Sequence, residues 1–233
     1  AIRMGTLNAA AYFGLHDMGA VAPGYKADLA VFDDLRTLNV KQVYKGGKLV
    51  AENGKMLHQK EKNTDWSTEI KERVFHSFHR VPITVEELQL KETTGTHQRV
   101  IDMVAHELIT KERIEEWKEL PGVAPGVDIS RDIVKLAAIE RHKNTGHVGL
   151  GFLGKYGLKK GAVATSIGHD SHNLVIAGVT DEDMVLAGNR VIENGGGLAI
   201  ALEGKVLADL PLPIGGLMAD EPVEVVDEKL EHM

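Results

Sequence analysis

The residues with the densest capacity for chemistry stand together at Gly168-His169-Asp170-Ser171-His172-Asn173. Imidazole titrates near neutral pH, so two of them beside a carboxylate suit proton transfer or metal ligation. On a strand, alternation would put His169, Ser171 and Asn173 on one face and Asp170 and His172 on the other. In a turn that sorting lapses and the groups can converge. Asp, Ser and Asn are also turn formers, so a plain polar surface turn is the rival reading. A turn has no use for two histidines, and that favours chemistry.

Other candidates carry weaker signals. His147 leads directly into Gly149-Leu150-Gly151-Phe152-Leu153-Gly154, which has the G-x-G-x-x-G spacing. A dinucleotide site needs a strand running into those glycines and a helix opening out of them. Here the charged stretch from Glu140 to Asn144 comes before, and the glycine-interrupted stretch from Lys155 to Gly161 follows. The expected structure is a glycine-rich loop packed against another element. Gly195-Gly196-Gly197 follows a helix C-terminus, where the dipole repels anions, so it is not a phosphate cradle. His76 and His79 have i, i+3 spacing and read as a solvated helix face. There is no His-x-His pair and no cysteine. Any metal would therefore need His, Asp or Glu as ligands.

Two apolar, β-branched runs, 162–166 and 174–179, flank the His-rich segment and should be the strands that hold it. Residues 181–194 read as a helix, with Met184, Ala187, Val191 and Ile192 on one face, Thr180 and Asp183 at its start and Gly195 at its stop. A closing hairpin follows from Leu198 to Leu207 around Glu203-Gly204. Residues 99–104 and 132–139 read as further strands. The charged stretch 110–120 fits either a short helix or a polar edge strand.

Nearer the start, Thr6 and Gly14 bracket an alanine-rich helix, and short strands at 27–33, 39–44 and 49–50 are separated by turns at Gly46-Gly47 and Asn53-Gly54. Residues 57–72 are polar with little periodicity and read as a linker between segments 1–56 and 73–233. The final Glu228 to Met233 reads as a polar tail with no closing element. Strands and helices mixed in this way indicate an α+β class.

The 233 residues are 43% hydrophobic and carry a net charge of -7 at pH 7. An acidic chain has little with which to neutralise a phosphate backbone, so nucleic acid is not an expected partner. No apolar run has the length of a membrane span. The absence of cysteine is compatible with a reducing cytoplasm. The opening Ala1-Ile2-Arg3-Met4 runs straight into structured-looking sequence, and the whole reads as a piece of a longer protein.

Thr6-Leu7-Asn8-Ala9-Ala10, Gly14-Leu15, Gly19, Pro23-Gly24, Ala27-Asp28-Leu29 and Gly46-Gly47 together resemble the closing segment of amidohydrolase-superfamily enzymes, where the chain leaves the barrel and completes a small β-sandwich. Gly146 to Gly151, Gly157 to Ala162, Gly168 to Asn173, Asn189-Arg190, Gly195 to Gly197 and Leu210 to Met218 resemble the carboxy-terminal domain of prokaryotic adenine deaminases. The resemblance implies hydrolytic deamination of adenine to hypoxanthine and ammonia in cytoplasmic purine salvage, by a homo-oligomer. It also implies a divalent metal, manganese or iron, in the family's TIM barrel. That barrel is absent from this chain, so no metal is expected here and the piece alone should be inactive. His169, Asp170 and His172 then become candidate catalytic residues that move a proton or orient adenine. Ser171, Asn173 and His147 become candidate substrate contacts. Two alternatives stay open: a related amidohydrolase acting on another cyclic amide or amidine, and a non-catalytic binding or oligomerisation module.

Overall fold

The computed structural model describes residues 1–57, 66–90 and 95–233. They form two units, divided after Asp65. The expected linker 57–72 falls partly on 58–65, which lie outside the described residues. Its last part is helical: Ser67 caps α2 (Thr68–Phe75) by accepting a hydrogen bond from the Ile70 amide at 3.3 Å.

The first unit begins with a π-helical turn, Met4–Asn8, that runs into the short α1 (Ala9–Tyr12). Thr6 does not cap it, because the chain is already helical at Arg3. Its hydroxyl instead donates back to the Ile2 carbonyl at 2.8 Å, as hydroxyls inside helices do. Beyond α1, strands β1 (Leu29–Phe32), β2 (Val40–Lys45), β3 (Lys48–Glu52) and β4 (Lys55–Met56) pair antiparallel in sequence order. The Gly46-Gly47 turn has φ of 55° and 77°, the left-handed pair that a two-residue hairpin turn needs.

The second unit is built on an eight-stranded mixed sheet. Its strands are β5 (His97–Met103), β6 (Thr110–Glu116), β7 (Ile133–Ile139), β8 (Val148–Gly154), β9 (Ala162–Thr165), β10 (Leu174–Gly178), β11 (Gly197–Leu202) and β12 (Lys205–Pro211). Their spatial order is β12-β11-β9-β10-β7-β8-β5-β6. Only β5 and β8 run parallel; the other neighbours are antiparallel. The stretch 110–120 thus resolves as an edge strand, β6. Its Thr-Lys-Glu-Arg-Ile-Glu-Glu sequence puts charge along an edge that would otherwise invite pairing.

The short α3 (Val85–Leu88) precedes the sheet in sequence, and one face of the sheet is covered by α4 (Asp181–Glu193). Met184, Ala187 and Val191 of the helix pack on Ala137, Ile139, Ala162, Ala164, Leu174, Ile176, Ala199 and Ala201. Each fully buried aliphatic side chain contributes roughly 1.5–3 kcal/mol. Alanines on the strands let the helix sit close, and Gly188 closes the gap: a Cβ there would lie 2.6 Å from Ile176 Cδ1. Thr180 caps α4 by accepting from the Asp183 amide, and Asp183 in turn accepts from the amides of Glu203 and Gly204 in the β11–β12 turn. A second apolar cluster joins Ala124 and Val127 to Val134, Leu153, Ala177 and Val179.

Three local readings of the sequence are corrected here. The glycine-spaced segment 149–154 is not a loop but the interior strand β8, paired on both sides. His76 and His79 share no helix face, since α2 ends at Phe75 and His79 lies in the loop beyond. The terminal residues are not an unstructured tail: Val223–His232 form helix α5.

Candidate functional site

The His-rich segment is the connection between β9 and β10, which are antiparallel neighbours in the middle of the sheet. Its first residue, Ser166, is fully buried and acts as a pin. The Ser166 hydroxyl donates to the Gly216 carbonyl at 2.6 Å and accepts from the Gly197 amide at 2.7 Å. The turn closes where the His172 amide donates to the Gly168 carbonyl at 2.5 Å, with His172 in the left-handed region at φ 51°.

Within this turn His169 and Asp170 form a pair, Nε2 to Oδ1 at 2.6 Å, with side chains 87% and 85% exposed. Ser171 is exposed, and His172 and Asn173 are half-buried. His147 comes in from the loop that leads into β8. The last residue of β7, Ile139, pairs with Val148 on one side and Leu174 on the other. His147 and Asn173 therefore leave the sheet at the same end, on either side of Glu140. His147 is exposed, and its neighbours Gly146 and Val148 line a cleft of about 530 Å³. That cleft is lined by Glu86, Glu87, Gln89, Leu90, Gly146, Val148 and Leu150, and no residue of 169–173 lines it.

The loop after β7 supplies the support. Glu140 accepts from the amides of Thr145, Lys143 and His142 and from the Thr145 hydroxyl, which holds its carboxyl at a pKa of about 2. That carboxylate shapes the turn carrying Arg141 and His142. His142 Nε2 lies 2.9 Å from the Ser171 carbonyl and, donating to it, reinforces the His-rich turn. Arg141 is 1% exposed. Its Nε donates to the His172 carbonyl at 2.5 Å and its Nη2 to the Gly215 carbonyl at 3.1 Å, while its guanidinium carbon stands 4.9 Å from the centre of the Phe78 ring. Burial lowers its pKa from the ordinary arginine value, but a guanidinium stays protonated at neutral pH.

Arg141 is the residue that reading the sequence passed over. It sat inside the stretch from Glu140 to Asn144, read only as charged. The signal was there in the period of two: Ile133, Lys135, Ala137 and Ile139 all point inward, and Arg141 continues that phase.

The described residues do not fit a metal centre. No three of their His, Asp or Glu side chains stand together so as to hold an ion, and His169 and Asp170 satisfy each other. What the turn presents is an imidazole and a carboxylate in contact with each other and open to solvent.

Comparison with known proteins bears on both units. The family described as "Amidohydrolase family" matches residues 1–50, and the "Adenine deaminase C-terminal domain" matches residues 107–233. Curated relatives include Adenine deaminase 2 of Carboxydothermus hydrogenoformans, 43% identical over the whole chain, and the adenine deaminase of Lysinibacillus sphaericus, 42% identical over 99% of it. The adenine deaminase of Bacillus pumilus is 37% identical over the whole chain. In each case the chain spans 39% of the relative's length. The second of the two family matches alone takes in more than half of the residues, and the chain belongs to the adenine deaminase C-terminal domain family.

Proposed function

We propose that this chain is the carboxy-terminal part of an adenine deaminase, an enzyme of cytoplasmic purine salvage that works as a homo-oligomer. In this reading residues 1–56 end the amidohydrolase barrel and sandwich, 57–72 link, and 73–233 form the deaminase-type domain. Support comes from relatives named adenine deaminase that match from end to end of the chain. The divalent metal, manganese or iron, is held by residues of the full-length protein outside this chain, and the piece alone does not turn over adenine.

The reaction adds water across the C–N bond of the amidine: the oxygen stays on the ring as hypoxanthine and the amino group leaves as ammonia. Protons must move from the water to the departing nitrogen. The single observation that supports a share for this chain is the His169–Asp170 contact at 2.6 Å in a turn beside His172. The imidazole and carboxylate pass that proton, His172 orients the base, and Ser171, Asn173 and His147 offer hydrogen bonds to the purine edge.

The test uses the full-length protein. Asp170→Asn and His172→Ala are expected to lower kcat with adenine about 100-fold, within the range of general acid–base catalysis. Unchanged turnover in both would assign the turn to a supporting module instead.

A further inference from the structure

The geometry points to Arg141 as the positioning residue of the His169–Asn173 turn, acting through the His172 carbonyl rather than on substrate. This rests on the reading that the turn takes part in deamination. A guanidinium carries five donors in a fixed fork and is costly to remove from water unless those donors are used. Most buried arginines meet a carboxylate. Arg141 meets none among the described residues. Its partners are two backbone carbonyls and an aromatic face: His172 at 2.5 Å, Gly215 at 3.1 Å and the Phe78 ring at 4.9 Å. A ring face attracts a cation, and burial strengthens that attraction.

Each partner belongs to a different segment. His172 is in the β9–β10 turn, Gly215 in the loop after β12, and Phe78 in the loop after α2. The first two are joined a second time by Ser166, which donates to Gly216. The chain has been cut back to admit the guanidinium: a Cβ on Gly216 would lie 2.7 Å from Arg141 Nη1 and 2.9 Å from its Cζ. A well-packed apolar side chain could fill this volume without a charge to take out of water. What only the arginine supplies is direction. Two N–H groups of one rigid plane hold two carbonyls at once, Nε that of His172 and Nη2 that of Gly215, so the backbone of His172, itself at positive φ, is fixed against the loop after β12. Lysine carries the charge but not the planar fork.

The experiment uses the full-length, metal-loaded enzyme and measures kcat, KM for adenine, bound metal and Tm for R141K, R141A and G216A. A small displacement of catalytic groups can cost about 100-fold in rate, and a kcat loss approaching that size is expected for R141K, with KM within about threefold and metal content unchanged. G216A keeps the guanidinium but displaces it, and the same split is expected. Guanidinium chloride at millimolar concentration should restore part of the kcat of R141A, saturably, where sodium chloride does not. If R141A is too unstable to assay, R141K and G216A decide.

The inference is overturned if R141K and G216A keep the wild-type kcat while Asp170→Asn and His172→Ala lose it. It is also overturned if kcat falls only together with bound metal or a matching rise in KM, since that describes a structural strut. Should all four variants keep wild-type kcat, the reading of the turn as part of the machinery fails first.

Discussion

Asp128→Asn gives the sharpest test of the forces in the second unit. Asp128 lies between the buried Val127 and the 3₁₀ turn Ile129–Arg131, and its side chain is 3% exposed. The carboxylate accepts from the Ser130 hydroxyl at 2.5 Å, from the Ser130 amide at 3.0 Å and from Arg131 Nε at 2.6 Å. The Ser130 hydrogen bond above all, with Arg131 behind it, lowers its pKa from the ordinary 3.8 to about 2. At 1.36 kcal/mol per unit that is about 2 kcal/mol of differential stabilisation of the charged form. The folded pKa lies below the unfolded one. The contribution is therefore fully present above about pH 4 and disappears as the pH falls through about 2.

The assay is urea denaturation of wild type and Asp128→Asn, followed by tryptophan fluorescence; Trp117, packed edge-on against Phe152 at 5.7 Å, reports on this unit. The difference between the proteins should be about 2 kcal/mol at pH 7 and should narrow to about 1 kcal/mol near pH 3. Comparing the two proteins at each pH cancels the other carboxylates. A gap that stays constant from pH 7 to pH 3 would refute the charged-state argument and leave only lost hydrogen bonds. No gap at pH 7 would refute the importance of the site altogether.

Lys135→Met should destabilise by about 3 kcal/mol, because it leaves Asp181 without the ammonium that meets it at 2.7 Å inside the sheet–helix layer. Adding Asp181→Asn should recover part of that loss, and chemical denaturation of the single and double variants measures it. Thr180→Ala removes the oxygen that caps the first turn of α4 and should cost about 1 kcal/mol by the same measurement. Gly154→Ala would place a Cβ 2.1 Å from Asp102 Oδ1 and 2.6 Å from Arg113 Nη2, at the pair that ties β5 to β6. A fall in Tm is expected, and an unchanged Tm would mean that this edge relaxes freely.

How much of this was legible depends on how local the cause is. The helix at 181–193 and its cap were readable because the apolar face and the Thr180 signal lie within one stretch of chain. The β11–β12 hairpin was readable because Glu203-Gly204 carries its own turn chemistry. β8 was not, because Gly149, Gly151 and Gly154 lower any local preference for a strand. Its extended form comes from pairing to β7 and β5, which are distant in sequence. The His169–Asn173 turn was legible as a concentration of chemistry. Its supports were not: strand period marks Arg141 as inward-facing, but that Arg141 meets the His172 carbonyl and Ser166 the Gly216 carbonyl, 50 residues further along the chain, is a matter of tertiary pairing that no local pattern records.

The same contrast bears on mechanism. A proton donor or base works best when water is kept from competing with it, yet His169 and Asp170 are the most solvent-facing part of their turn. The rigid parts lie beneath them: a buried serine, a buried arginine and a left-handed histidine. A plain surface turn needs no arginine driven into the sheet end to hold it, since turn formers hold such connections by themselves. Conversely, an exposed His–Asp pair cannot select adenine unaided. Under the proposed function the two facts agree if the turn is a preset surface that the metal-bearing part proposed for the full-length protein covers. His169 and Asp170 should then lose their exposure in that complete protein. Mapping them by carboxyl and imidazole modification, free and with a substrate analogue bound, measures this: protection by the analogue supports the turn's place at the substrate, and equal reactivity in both states removes it.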